Sequence, residues 1–217
     1  MSTEYESPFE ICPVLQEENL EELAQEMLKV VEQTLISNRT ELDDNYTFET
    51  SLFGRTRQLF LRLHRDKSKP WLCLASESMD YVPTINTVPV RVFKDDPNSP
   101  KKVKIFYRND CEHKQLSLLF EEDAFEVAES LAWRLLIEAP ATVDNFGHEL
   151  EDIEDDYHVV LVGYHPRSKT IVSMWRSASV VSMPVRPVDD ILPAEKQVER
   201  KRAVLKLVDT EVEKQDE

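Results

Sequence analysis

The sequence predicts an α+β fold in which an antiparallel sheet of about six or seven strands, built from hairpins, packs against three helices: N-terminal, central and C-terminal. Three observations predict it. Apolar residues recur at helical spacing near the N-terminus and again at 123–139, the period falls to two between residues 57 and 120, and clusters rich in Asp, Pro and Asn separate the alternating runs. The 217 residues suit a single domain at 15–181, preceded by an extended arm at 1–14 and followed by a proline-containing connector and charged helix at 182–217.

Each element has its own pattern. The arm carries Pro8 and Pro13 without apolar periodicity. Asn19 and Glu22 form a capping-box pattern ahead of Leu23, Ala24, Met27, Val31 and Leu35, and Glu17 and Glu18 complement the positive end of the helix dipole. Residues 58–64 alternate, with Leu59, Leu61 and Leu63 on one side, and with the apolar run 71–75 they predict a first hairpin. Val88, Val90 and Val92 lead through the turn cluster at 95–100 to Val103, Ile105 and Tyr107, a second hairpin whose Pro89 places the first strand at an edge or delays its start. Residues 116–120 read as a further strand. The central helix is expected at 123–139, with Asp123 as its cap, Val127, Ala128, Leu131 and Leu135 along one face, and Pro140 as its stop. Residues 158–164 and 170–175 predict a third hairpin. Beyond Pro184, Pro187 and Pro193, the thin stripe Val198, Leu205 and Val212 predicts a last helix open to pairing as a homodimer.

Several function classes are excluded by composition. The three glycines, Gly54, Gly147 and Gly163, stand alone, so no glycine-rich phosphate loop and no nucleophile elbow can be written. No HExxH zinc helix and no EF-hand loop occurs, and no apolar run approaches the roughly 20 residues of a membrane span. Cys12, Cys73 and Cys111 are odd in number and widely spaced, which with an acidic N-terminus leads us to expect a cytoplasmic protein. Cys73, in the run Trp71-Leu72-Cys73-Leu74, is expected to be a buried, inert thiol. Cys111-Glu112-His113 lacks a second ligand pair, and no metal, cofactor or catalytic residue is expected.

The formal charge of -16 is unevenly distributed. Residues 1–50 hold 13 acids and 2 bases, and 111–160 hold 14 acids and 2 bases, whereas 51–110 hold 6 acids and 12 bases. If the alternating runs are strands, one sheet face collects Phe60, Arg62, His64, Arg91, Phe93, Lys102, Lys104, Phe106 and Arg108, a mixture of cations and rings that suits an acidic peptide or a single-stranded nucleic acid. The acidic run Glu149, Glu151, Asp152, Glu154, Asp155 and Asp156 is a candidate interaction segment. The function expected is that of a non-catalytic acidic cytoplasmic protein that binds another macromolecule, most often a protein, as an adaptor, chaperone or inhibitor does. The alternatives are nucleic-acid binding through the basic-aromatic face, or an enzyme without recognisable short motifs.

Overall fold

The computed structural model describes residues 5–38, 40–117, 131–140 and 156–182. The chain divides into two units, Met1–Pro184 and Val185–Glu217, and the second, with the helix expected there, lies outside the described residues. Within the first unit a single turn of helix, α1 (Pro8–Ile11), precedes two long helices, α2 (Glu17–Ser37) and α3 (Asn45–Asp66). Two sheets follow. One is the meander β1 (Leu72–Ser76), β2 (Val82–Ile85) and β3 (Val88–Pro89); the other has the order β4 (Arg91–Lys94), β5 (Ala132–Glu138), β6 (Asp156–Tyr164), β7 (Ile171–Arg176), with β8 (Val181–Ser182) pairing on β6. A short helix, α4 (Asp110–Ser117), and a 3-10 turn at Val103–Ile105 lie between β4 and β5. The class is therefore mixed helix and strand, but with two sheets where one was expected.

Helix α2 buries Leu20, Leu23, Ala24, Met27, Leu28 and Val31, the face its sequence pattern predicts. Asn19 is not its cap: the helix begins after Gln16, whose side-chain oxygen accepts from Asn19 Nδ2 at 3.0 Å. The run 58–64 is helical instead of a strand. Asp44 caps α3 through Thr47 N at 2.7 Å, and the buried positions Leu52, Thr56, Leu59, Phe60 and Leu63 recur every three or four residues. Leu61 is buried as well, and a helix with so broad a buried face contains a short stretch that alternates in sequence.

The expected central helix is overturned where it is described, because residues 132–138 form β5. Pairing β5 with parallel β4 and antiparallel β6 leaves apolar layers on both sides: Leu131, Trp133, Leu135 and Ile137 enter the core under the helices, while Ala132 and Leu136 enter a second cluster with Ile105, Val160, Val162 and Tyr164. A strand buried on both faces reads as a continuous apolar run, which periodicity does not separate from a helix. The expected strand at 103–107 is a 3-10 turn, and of 116–120 the two described residues end α4. The third hairpin is present as β6 and β7, and Pro89 lies in the edge strand β3.

Gly163 faces Trp133 across β5 and β6, and a Cβ placed there would lie 3.0 Å from Trp133 Cζ3 and 3.1 Å from Leu131 Cδ1. Gly163→Ala is expected to overpack this contact and cost about 1–3 kcal/mol, seen as a lower urea midpoint with an unchanged slope.

Candidate functional site

Arg91 and Arg134 are directly opposed in the parallel β4–β5 register, and both are buried. Two like charges side by side would repel, and the sequence supplies a counterion from α4. Asn109 and Glu112 form a reciprocal capping box at its start: Glu112 N donates to Asn109 Oδ1 at 2.9 Å, and Asn109 N to Glu112 Oε2 at 2.9 Å. The same carboxylate takes Arg134 Nη1 at 2.5 Å and lies 3.9 Å from Arg91 Nε. Arg134 also donates to the carbonyls of Ile105 (2.6 Å), Trp133 (2.7 Å) and Tyr107 (2.8 Å), so the 3-10 segment is tied to the sheet. Burial pulls the Arg134 pKa below its ordinary value, with Glu112 opposing.

Arg91 extends this network outward. Its Nη2 donates to Asp80 Oδ1 at 2.5 Å, its Nη1 to Lys104 O at 3.4 Å, and its guanidinium lies 5.0 Å from the Phe93 ring centre. Asp80 Oδ2 accepts from Asn109 Nδ2 at 3.0 Å. Burial raises the Asp80 pKa, but the hydrogen bonds from Asn109 and Arg91 and the charges of Arg91 and Lys104 outweigh it, and the net direction is down.

Beside this network lies an open groove of about 340 Å³ between the first half of α3 and β4. Tyr46, Glu49, Phe53 and Thr56 form the helix side, residues 79–81 one end, and Arg91, Val92, Phe93, Lys94 and Lys102 the strand side. Tyr46 is 76% exposed, Met79 68% and Phe53 39%, so three of the largest exposed apolar side chains converge on one groove. The Thr56 hydroxyl is buried with no hydrogen-bond partner among the described residues. Lys94 Nζ pairs with Glu49 at 3.3 Å and lies 5.2 Å from the Phe48 ring centre. Lys102 Nζ donates to Lys94 O at 2.7 Å and has no carboxylate partner among the described residues.

Of the residues expected on one basic-aromatic face, Arg91, Phe93 and Lys102 meet at this groove. Phe60 is buried against Tyr81 with ring centres 5.7 Å apart, Arg62 is exposed on α3, and His64 Nδ1 accepts from Leu74 N at 3.3 Å. Lys104 is exposed, Phe106 packs edge-on against Tyr164 at 5.2 Å, and Arg108 donates to Leu131 O at 2.6 Å. In the acidic run only Asp156 is described, at the start of β6. Reasoning from sequence missed Tyr46, Phe53, Thr56, Met79, Asp80, Glu112 and Arg134; the lone charge of Arg134 within the apolar run 131–137 was the available signal.

Cys73 is exposed on β1, a correction to the buried thiol expected, because the apolar run around it is covered on one face only. Burial pushes the Cys12 thiol up to about 11, and burial with the nearby Glu112 charge raises that of Cys111, so both thiols are held protonated. Among the described residues no three His, Cys, Asp or Glu side chains are grouped to hold a metal ion, and no helix is long and apolar enough to cross a membrane. No protein-family model, no curated protein and no solved structure matches the chain.

Because its pKa is lowered in the folded state, Asp80 contributes stability above the ordinary carboxylate range that is lost as pH falls through its folded value. Asp80→Asn is expected to lower the urea midpoint at neutral pH, with the gap to the parent closing below about pH 4. A gap of constant size in acid would assign the loss to packing instead of charge.

Proposed function

We propose that the chain is a non-catalytic cytoplasmic protein that binds another protein, and that it does so through the groove between α3 and β4. The observation that carries this reading is the convergence of Tyr46, Phe53 and Met79, partly or largely exposed, on one groove. Exposed aromatic and Met side chains gathered in a concavity are the usual anchors of protein recognition, because one partner side chain there sheds water from several apolar surfaces at once. The groove is one-sided in chemistry as well. Its helix side is apolar around a neutralised Glu49–Lys94 pair, and its strand side is cationic.

Nucleic acid is the weaker reading. Base stacking needs open ring faces, and the rings of Phe48, Phe93, Phe106 and Tyr107 already lie within 5.0–5.8 Å of cations from this chain. The acids of residues 1–50 and 111–160 would also oppose a phosphate backbone.

A displayed library of random linear peptides, selected against the full chain, is expected to yield binders that Tyr46→Lys combined with Met79→Lys weakens by about tenfold or more, with little change in the unfolding midpoint. Binders indifferent to both substitutions, or no enrichment, would contradict the groove as the binding surface. Tight binding of single-stranded DNA at low salt, lost steeply as salt rises, would favour the nucleic-acid reading instead.

A further inference from the structure

We infer that the ligand of this groove is an extended segment of a partner protein that adds as a strand to the outer edge of β4, with apolar side chains turned toward α3 alternating with acidic side chains turned toward Arg91 and Lys102. The inference rests on the groove being the binding surface and specifies what it binds.

The backbone supplies the first argument. β3 and β4 are consecutive, separated by Val90 alone, and Val90 N donates to Pro83 O at 2.8 Å, continuing the pairing of β2 with β3. That register, Thr84 opposite Pro89 and Ile85 opposite Val88, would set Tyr81 opposite Val92. The ladder stops short of it: β2 begins at Val82, and no backbone hydrogen bond joins Tyr81 to Val92. Backbone groups alternate in direction along a strand, so Val90, Val92 and Lys94 face the side on which β2 has ended, while Arg91 and Phe93 face β5. Lys94 O on that side is held by Lys102 Nζ. By that alternation the N–H and C=O of Val92 and the N–H of Lys94 point away from β5, and outside the sheet ladders no backbone group of the described residues bonds to them. Among the described residues β4 is thus an outer strand whose vacant hydrogen-bonding positions begin where β2 has ended, and the groove lies along them.

The side chains supply the second. A strand laid beside β4 turns alternate residues to its two faces. One face meets the Tyr46 and Phe53 rings, where among the described residues lining the groove the charges of Glu49 and Lys94 neutralise each other. The other meets Lys102 and the flank of Arg91; among the described residues Asp80 and Glu112 are already paired with Arg91, and Asp95 accepts from the Lys101 and Lys102 backbone N–H groups, which leaves the Lys102 ammonium without a carboxylate. Complementarity therefore asks for apolar residues on the first face and an acid on the second. The edge cation Lys102, which discourages indiscriminate pairing of an open strand, becomes the selecting contact.

The test uses the 15N-labelled full chain and a synthetic peptide of about seven residues, ordinary strand length, alternating valine and glutamate. Exchange of the Val92 and Lys94 amides is expected to slow by about tenfold or more on binding, while that of Arg91 and Phe93 changes little. N-methylation of the peptide amide that faces Val92 O is expected to weaken binding about tenfold through loss of that backbone hydrogen bond. An alternating valine and lysine peptide is expected to bind less tightly, and Lys102→Ala to narrow that preference. Peptide binding that leaves the Val92 amide unchanged and tolerates N-methylation would end the strand-addition claim while leaving the groove as the binding surface. The same holds if library-selected binders occupy the groove and the alternating peptide does not. Slow exchange of Val92 and Lys94 in the free protein would also overturn the inference, since the edge would then be covered by other residues of this chain or by a second copy.

Discussion

The architecture depends on one carboxylate buried between two guanidinium groups. Arg91 and Arg134 occupy opposed positions on adjacent parallel strands, an arrangement that repels unless a counterion lies between them. Glu112 fills that role from α4 with its side chain 1% exposed, while its second oxygen caps its own helix. Taking these groups out of water costs several kcal/mol each, and such a site is tolerated only when nearly every donor and acceptor is engaged. Here Arg134 reaches one carboxylate and three carbonyls. The consequence reaches beyond the pair. The same bonds fix the 3-10 segment, α4 and β4 as a unit, so the face of β4 away from β5 is presented in a fixed position beside α3.

Much of this was legible in sequence wherever one pattern had one explanation. The face of α2, the β6–β7 hairpin and the edge placement of Pro89 followed from period and proline chemistry. Errors came where two structures share a pattern. Leu59, Leu61 and Leu63 alternate because α3 is buried on a broad face, and Leu131, Leu135 and Val127 fit a helical stripe although the described part of that segment is a strand buried on both sides. The groove was legible only in part. Arg91, Phe93 and Lys102 were singled out by charge and ring content, but Tyr46, Phe53 and Met79 come from α3 and the bend before β2, and only tertiary packing brings them to β4. Asn109 and Glu112 carry a capping-box spacing that was readable locally; that Glu112 also neutralises residues 21 and 22 positions away in sequence was not.

Net charge takes on a different meaning at this scale. A formal charge of -16 describes the long-range field and favours solubility. Among the described residues that line the groove five side chains carry charge, with Glu49 and Lys94 cancelling and Asp80 only partly offsetting Arg91 and Lys102. An acidic protein therefore carries a locally cationic strand edge, and contacts at that edge, not the bulk field, decide which partner fits.

The most direct test of this account is a double-mutant cycle on unfolding free energy with Glu112→Gln, Arg134→Met and the two combined. If the buried pair organises the strand edge, each single variant loses about 3–5 kcal/mol because it strands a charge or a donor set, the double variant loses little more than the worse single, and the coupling reaches about 2 kcal/mol or more. Additive losses, with coupling near zero, would show that the two residues stabilise the fold independently and would contradict the central place given to Glu112.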